Sequence, residues 1–590
     1  MDSNKITSGL VNLLFSKDNR KWILLLVIIG FILRILLANH LDFSADEMLH
    51  GPHSIGFIES GKLQIMDQDA VWFFLTNIMI KIFGVSIFGI RILQVLFDSL
   101  AIILVYLIGK EIFNEKIALI ASIIYTFSPF QLMQMRSLMD LPMSFFVFFA
   151  IYFLVMFTKT NKRNFFILSW ISLGIAIMIK QIALWFIPAF VIFLLYNNKK
   201  VLKRFDFKKI ILAAVIIIIM VLPVLTFNYL LYKDKKLADL QFARFTKTGF
   251  EKYEAIANTI QPFSFDRLLF PQENNQKPGI YQSLYKFRFE NFLVMIFSVL
   301  GLFFLFKDKN KFTLLLILSF LFPFIFLAGT STLFNHFVFA IPYVALLASL
   351  SINKLTDKLK HTKTRKTILF IVLAAIIIIS LIKINKEASG IFGKNELGKM
   401  ISFKNEKIEK DSLVIVDSRI YRGRIVFMFS DRHYLETNYF SALLQSMNSL
   451  PGKSVPTTTY FIEAVTDDSG WGTVKDQPEF NQTTEDIASY FKNNSQQLTT
   501  IYDIENKEHF KVYKASLMLK ESALLSADTT HEWFYYPVAY KPKGSSFDDY
   551  IIHNSLDSLL NKLSFLILYI DVFLSILLSF YVFFLLYKSS

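Results

Sequence analysis

Two acidic residues, Asp46 and Glu47, stand just beyond the first hydrophobic segment of the chain. Residues 22–38 are almost wholly apolar, and a bilayer crossing takes about 20 such residues. Carboxylates are energetically costly inside a membrane, so acids at the end of a membrane span indicate function. Asp46 is the candidate general base, and Glu47 is a candidate catalytic residue that ligates a metal or orients other groups. Helix capping with solvated charge is the alternative interpretation.

Two histidines extend this acidic segment. Asp42, Asp46, His50 and His53 are spaced by four, four and three residues, so one helix would place them on one face, although Pro52 interrupts such a helix. Asp46, Glu47 and His50 are therefore the candidates for binding a divalent metal. No feature of the sequence requires a cofactor.

A second group of polar residues lies between the third and fourth hydrophobic runs. Arg136 and Asp140 are four residues apart there, on the same predicted side of the membrane as Asp46. One interpretation is a structural ion pair at a helix start. The other, which we favour, makes Asp140 a second catalytic carboxylate facing Asp46 and places Arg136 beside an anionic ligand.

Further polar residues occupy predicted outer positions. Lys180 lies where the charge distribution of membrane proteins disfavours a lysine, so it is a candidate phosphate contact, with snorkelling as the alternative. His336 stands at the start of the tenth run and is a third candidate for binding a phosphate. Arg91 and Asp98 are predicted to form a buried structural pair.

Hydropathy sets the fold class. Of the 590 residues, 54% are hydrophobic, and long apolar runs recur through the first two-thirds of the chain and again near residues 560–587. These runs predict a mainly α, polytopic membrane helix bundle with about twelve spans. Residues 40–87 predict interfacial helices, one of them over 69–83, lying along the outer surface.

The basic residues carry topological information. The net charge is +15, but the cations concentrate in alternate loops, as after the fourth, sixth, eighth and tenth runs. This positive-inside pattern predicts a cytoplasmic N-terminus in a multi-pass plasma-membrane protein, and argues against binding of nucleic acid.

The composition changes near residue 385. Residues 385–555 mix strand-like runs, polar turns and short helices, and they predict a small extracytoplasmic α/β domain. The predicted organisation is a transmembrane domain over 1–384, this outer domain, and a C-terminal transmembrane helix over 556–590.

The motif order resembles that of the C-type multi-spanning glycosyltransferases, closest to the group of protein O-mannosyltransferases and lipid A aminoarabinose transferases. The resemblance covers about residues 20–350. It depends on Asp46-Glu47, Asp67-Gln68 before a helix ending in Ile82-Phe83-Gly84, Ile87 to Arg91, Ser128-Pro129, Arg136 to Asp140, and Lys180. The chain departs from the family at Asp69-Ala70, where two prolines are frequent, and at Asn335-His336-Phe337, where Arg-Tyr is frequent.

This resemblance implies an integral-membrane glycosyltransferase with an outward-facing active site. It would transfer a sugar, with inversion, from a polyprenyl-phosphate donor to a protein, lipid or polysaccharide acceptor. Asp46 takes the role of base and Asp140 the second acidic position, while Arg136, Lys180 and His336 would meet the phosphate. The alternatives are a secondary transporter or lipid flippase, and a non-enzymatic receptor using residues 385–550.

The topology can be tested by cysteine labelling, because the chain contains no cysteine. In intact cells, an impermeant thiol reagent should label Ser454→Cys and leave Lys200→Cys unlabelled, since the two positions are predicted on opposite sides. Labelling of position 200 together with protection of 454 would invert the topology.

Overall fold

The structure is a computed structural model of the 590-residue chain. It describes residues 19–41, 44, 47, 50–51, 54, 70–136, 139–197, 207–239, 242–243, 248, 263–271, 277–308, 310–330, 334–388, 396–420, 422–429, 431–465, 478–523 and 552–588. Asp46, the predicted base, lies outside these residues, as do Asp42, His53 and Asp67-Gln68.

Helices dominate the described residues up to 388. In chain order they are α1 (Arg20–His40), α2 (Ala70–Phe83), α3 (Ile87–Ile112), α4 (Glu115–Thr126), α5 (Pro129–Leu132), α6 (Asp140–Thr160), α7 (Arg163–Ile179), α8 (Phe186–Asn197), α9 (Phe207–Met220), α10 (Leu222–Lys235), α11 (Phe265–Leu269), α12 (Gly279–Lys286), α13 (Phe292–Lys307), α14 (Thr313–Thr330), α15 (Ile341–Asp357) and α16 (Thr362–Glu387). The following helices are α17 (Glu396–Lys407), α18 (Arg422–Phe429), α19 (Thr437–Ser446), α20 (Pro478–Asn494) and α21 (Ser555–Lys588).

Each of the predicted hydrophobic runs contains a helix, but not all are full-length spans. Among the described residues, seven helices are long and apolar enough to cross a membrane, or eight if one bent pair counts as a span. The prediction of a multi-pass helical protein is therefore confirmed, whereas the number twelve is not. The third run shows one reason, because its helix ends at Thr126 and Ser128 caps a separate short helix.

The bent pair is formed by α9 and α10, which meet at 61°. Pro223 stands in the first turn of α10, where it has no N–H to give to the preceding turn. The residues around the bend, Met220 to Pro223, are apolar. The break is therefore a proline bend without polar groups.

Helix α2 covers most of the residues predicted to form an interfacial helix, 69–83. Ala70 to Asn77 are buried against other parts of the protein, and only the end of the helix, around Ile82 and Phe83, is largely exposed. The helix is therefore confirmed, whereas its position along the outer membrane surface stays a prediction.

A five-stranded sheet forms the predicted α/β unit. Its strands are β1 (Leu413–Val416), β2 (His433–Glu436), β3 (Ser454–Ala464), β4 (Gln496–Tyr502) and β5 (Glu508–Lys520), in the order β2-β1-β3-β5-β4. β1 pairs in parallel with β2 and β3, while β5 is antiparallel to β3 and β4. The predicted domain boundaries at 385 and 555 stay a prediction.

The side chains of β1 alternate between two cores. Val414 and Val416 pack with α17 and α18, whereas Leu413 and Ile415 pack with α19 and α20 on the other face. A strand buried on both faces needs the continuous apolar sequence that β1 has. The sheet is therefore the middle layer of a three-layer unit.

Candidate active site

Asp140, Lys180 and His336, which are far apart in the sequence, meet in a compact cluster. Lys180 Nζ lies 2.8 Å from Asp140 Oδ1 and 2.9 Å from Oδ2. His336 Nδ1 lies 3.2 Å from the ammonium group and 3.4 Å from Asp140 Oδ1. Asp140 and Lys180 are buried, and the imidazole is mostly covered. Three of the predicted site residues are thus brought together.

Helix ends supply these three side chains. Asp140 is the first residue of α6, and Lys180 is the C-cap of α7. An acid at a helix N-terminus and a cation at a C-terminus both interact favourably with the helix dipoles. His336 belongs to the 3-10 turn Asn335–Ala340, which leads into α15. The cluster is therefore anchored to three rigid elements.

The pairing of Asp140 differs from the simple expectation of an ion pair between neighbours four residues apart. Its carboxylate is held by Lys180 and His336, and Asn335 Nδ2 lies 3.4 Å from Oδ2. Arg136 is half-buried and makes no ion pair with Asp140. Arg136 is therefore not used in the way that its spacing suggested. Asn335 is a polar neighbour that sequence reasoning did not select.

Glu47 has a buried partner, Arg91 of α3. Glu47 Oε1 accepts from Arg91 Nε at 2.5 Å and Oε2 accepts from Nη2 at 2.7 Å, a bidentate geometry. Arg91 Nη1 also donates to the carbonyls of Ala38 and Leu41, at the end of α1. Both charged side chains are fully buried. Arg91 therefore fastens the end of α1 and the acidic turn to α3.

Ser44 and Glu47 cap the same turn reciprocally. The N–H of Ser44 donates to Glu47 Oε2 at 2.8 Å, and the N–H of Glu47 donates to Ser44 Oγ at 3.3 Å. This is the capping-box arrangement, with a glutamate three residues after a serine. Ser44 Oγ also donates to the carbonyl of Arg136 at 3.4 Å. The turn that carries Glu47 thus lies against the segment leading to Asp140.

The expected pair between Arg91 and Asp98 is wrong. Asp98, seven residues further along α3, accepts from Arg34 Nε of α1 at 2.5 Å. Tyr125 Oη and Gln131 Nε2 also donate to Asp98, at 2.5 Å and 2.6 Å. The two charges of α3 are therefore neutralised by separate partners, and α1 is held at two levels.

The predicted metal ligands are placed only in part. Both oxygens of Glu47 accept hydrogen bonds, from Arg91 and from the N–H of Ser44, and its role as a metal ligand stays a prediction. His50 is buried, with its ring 6.2 Å from that of Phe73. Within the described ranges, no three histidine, aspartate or glutamate side chains form a metal-binding group. A divalent metal involving Asp46 remains a prediction.

The sheet unit reaches the acidic turn through Phe427 of α18. Phe427 is buried within the core of the helical bundle, apart from the two cores of the sheet unit. A Cβ atom on Gly51 would lie 2.7 Å from Phe427 Cζ. Any larger residue at position 51 would require the ring of Phe427 to shift, so the ring packs closely against Gly51.

Glu290 is a buried carboxylic acid that sequence reasoning missed. It precedes α13, and its Oε2 accepts from Ser128 Oγ at 2.5 Å. Lys383 Nζ donates to the carbonyl of Glu290 at 3.0 Å. Burial raises the pKa of Glu290 to about 7, although the hydrogen bond from Ser128 acts in the opposite direction. A lone glutamate beside an apolar run gave no signal in the sequence.

The chain is similar to a protein-family model and to solved membrane-protein structures. Residues 67–227 match the family model described as dolichyl-phosphate-mannose-protein mannosyltransferase. The undecaprenyl-phosphate-bound crystal structure of ArnT from Cupriavidus metallidurans has a TM-score of 0.53 and 11% identity, covering 84% of this chain and 98% of that one. The apo oligosaccharyltransferase from Archaeoglobus fulgidus gives 0.49 and 13%, covering 76% and 70%. The comparison with curated proteins gave no match. At 11% identity, the likeness to ArnT establishes a shared fold.

The pair of Glu47 and Arg91 yields a stability prediction. Glu47→Gln should lower the free energy of unfolding by about 3–5 kcal/mol, because it leaves the Arg91 charge buried without a counter-ion. Thermal unfolding in detergent measures this loss. Glu111→Gln is the matched control, since Glu111 pairs with Lys159 at 2.7 Å near the surface. That change should cost about 0–1 kcal/mol. Equal losses in the two variants would contradict the structural role of Glu47.

Glu290 yields a pH prediction. Its pKa is higher in the folded protein than in the unfolded chain, so its contribution to stability is full below about pH 4.5 and is lost as pH rises through about 7. The wild type should therefore lose stability relative to Glu290→Gln between pH 5 and 8, by about 3 kcal/mol at most. Paired melting curves across this range measure the difference.

A second variant checks the cause of this pH dependence. Ser128→Ala should raise the pH at which half of this stability is lost, because the serine hydroxyl stabilises the charged carboxylate of Glu290. A pH-independent difference between wild type and Glu290→Gln, or an unchanged midpoint in Ser128→Ala, would refute the assignment.

Proposed function

We propose that the chain is an integral-membrane glycosyltransferase of the C-type superfamily, which its motifs resemble. The match of residues 67–227 to the family model and the fold shared with ArnT support this proposal. It transfers a sugar from a polyprenyl-phosphate donor to an acceptor hydroxyl at the outer face of the membrane. The observation that carries this proposal is the buried cluster of Asp140, Lys180 and His336 at the ends of apolar helices.

The chemistry of the donor explains why a cation is needed in this cluster. The acceptor oxygen attacks the anomeric carbon from the side opposite the phosphate, and the bond between that carbon and the phosphate oxygen breaks. The phosphodiester of the donor carries one negative charge, whereas the departing polyprenyl phosphate carries about two. A preorganised cation near that oxygen stabilises the transition state more than the bound donor.

Lys180 and Arg136 supply positive charge for the leaving phosphate. Asp140 holds the ammonium group of Lys180 in position from two oxygens, which limits its motion before the donor arrives. Arg136 has no ion pair with Asp140, so its charge is available to an anion beside the same segment. His336 completes the polar wall of the phosphate site.

Asp46 accepts the proton of the acceptor hydroxyl. It stands between Ser44 and Glu47, whose reciprocal hydrogen bonds fix the turn against the segment of Arg136. Glu47 acts as a positioning residue through Arg91 and does not itself contact substrate. A divalent metal at Asp46 would share the stabilisation of phosphate charge, as an untested addition to this scheme.

Topology follows the distribution of cations. We place the N-terminus in the cytoplasm, the site and the sheet unit outside, and the protein in the plasma membrane. The acceptor is a protein, lipid or polysaccharide hydroxyl. The sheet unit, which meets the acidic turn at Phe427 and Gly51, is suited to restrict access of the acceptor.

The transporter alternative has less support. A broken helix in a transporter presents polar groups at mid-membrane. The break between α9 and α10 is apolar and is explained by Pro223. The charged residues of the candidate site instead lie at helix ends.

Product formation tests the proposed function. The purified protein should consume a radiolabelled polyprenyl-phosphate sugar and release polyprenyl phosphate when a suitable acceptor fraction is present. Asp46→Asn should reduce transfer by about 10²-fold or more, because the base is lost. A non-enzymatic receptor would give no turnover in wild type and would tolerate Asp46→Asn. Near-normal turnover in a folded Asp46→Asn protein would refute the proposed mechanism.

The phosphate site can be separated from a structural role by a double variant. Lys180→Met should weaken donor binding or slow transfer about tenfold or more, since one charged hydrogen bond contributes about 1.5–3 kcal/mol. It also leaves Asp140 buried without a cation, which lowers stability. Adding Asp140→Asn removes that unpaired charge, so the double variant should regain stability without regaining transfer.

Acceptor affinity is the internal control for this experiment, and it should change little in Lys180→Met. If the double variant recovers transfer together with stability, the pair is structural. If acceptor affinity falls while donor affinity is unchanged, Lys180 faces the acceptor.

A further inference from the structure

An apolar cavity lies among three helices of the bundle. It has a volume of about 310 Å³ and is bounded by α7, α8 and α9. Its walls include Phe166, Trp170, Val191 and Ala213, and Lys209 stands at one end. The candidate active site includes Lys180, which caps the opposite end of α7. This cavity is therefore separate from the proposed phosphate site.

The geometry of two helices creates the cavity. α7 and α9 touch at Gly174, where a Cβ would lie 2.7 Å from Met220 Cγ. The cavity lies nearer the N-termini of both helices, and its lining on α9 extends from Lys209 to Ile218. At 1.5 Å per residue, that lining is about 14 Å long. One leaflet of the hydrocarbon core is about 15 Å thick, half of the bilayer core.

One charged group stands at the end of the apolar wall. Lys209 lies 5.5 Å from the ring centroid of Phe157, a cation–π distance, near the start of α9. Trp170, which is 2% exposed, contributes its ring to the apolar part of the wall.

The charge of Lys209 indicates the headgroup. A cation beside a hydrophobic helix attracts anionic lipids, at about 1 kcal/mol near the surface. An apolar slot one leaflet deep, with a lysine at its mouth, matches an anionic phospholipid better than a neutral one.

We infer that this cavity binds an acyl chain of an anionic phospholipid, with the lipid phosphate at Lys209. The inference does not depend on glycosyl transfer. Assignment of the lipid to the cytoplasmic leaflet rests on the proposed topology, whereas the binding test does not.

Quenching of tryptophan fluorescence by brominated lipids measures this contact directly. The full-length protein is placed in nanodiscs that contain dibrominated phosphatidylglycerol or dibrominated phosphatidylcholine. The difference between wild type and Trp170→Phe isolates the signal of Trp170 from the other five tryptophans. Phosphatidylglycerol should quench it at an about fivefold lower mole fraction than phosphatidylcholine, because one cation distinguishes the two headgroups.

Matched variants test the two parts of the site. Lys209→Gln should abolish the preference for phosphatidylglycerol, whereas Lys208→Gln, at a position not lining the cavity, should keep it. Ala213→Phe fills the cavity and should remove quenching by both lipids. Val215→Phe places the same ring on an exposed face of α9 and should leave quenching unchanged. Ile217→Phe is a second filling variant in case Ala213→Phe does not fold.

Three results would overturn the proposal. Equal quenching by the two lipids in the wild type would remove the headgroup role of Lys209. Unchanged quenching in a folded filling variant would show that no chain enters the cavity. Displacement of brominated phosphatidylglycerol by undecaprenyl phosphate at a lower mole fraction than by unlabelled phosphatidylglycerol would reassign the cavity to a polyprenyl chain.

Discussion

A buried guanidinium, that of Arg91, is the constraint on which the candidate active site depends. Arg91 is fully buried, so its charge must be balanced inside the protein. Glu47 provides the balance, and the carbonyls of Ala38 and Leu41 accept the remaining bonds. Because these partners come from α1 and the turn after it, compensation of one charge also sets the place of the acidic turn. The position of Asp46 in the sequence, one residue before Glu47, makes this constraint relevant to catalysis.

A second buried charge of α3 is also balanced inside the protein. Asp98 is buried and receives bonds from Arg34, Tyr125 and Gln131. Arg91 and Asp98 are seven residues apart on α3. Arg91 binds the end of α1 and Glu47 in the turn after it, and Asp98 binds Arg34 within α1. Hydrophobic packing alone allows a helix to slide or rotate in a bilayer, because lipid and protein are similarly apolar. Two buried ion pairs restrict both motions. The C-terminal end of α1 is therefore fixed to α3 next to the acidic turn.

The sequence predicted secondary-structure elements better than it predicted the pairing of charged side chains. Apolar runs identified the helices, and the strand-like segments near 412–416, 459–465 and 510–513 overlap β1, β3 and β5. Pairings were harder, because the partner of a charge is set by three-dimensional proximity. Spacing favoured a pair of Arg91 with Asp98 and offered Arg136 with Asp140 as an alternative, whereas Asp98 is held by Arg34 and Asp140 by Lys180. The capping box of Ser44 and Glu47 was readable in the sequence, where helix capping stood only as the alternative interpretation.

In the proposed mechanism, Lys180 of the cluster and Arg136 have different roles. Lys180 is already neutralised by Asp140, so the pair presents little net charge to an approaching phosphate. It gains attraction for the donor only as the ammonium group shifts part of its bonding from Asp140 to the phosphate. Arg136 makes no ion pair with Asp140, and in the proposed mechanism its field attracts the donor before any rearrangement. In the proposed reaction, Arg136 therefore contributes mainly to capture of the donor. Lys180 contributes mainly when the leaving oxygen gains charge, because only then does the phosphate compete well with the carboxylate.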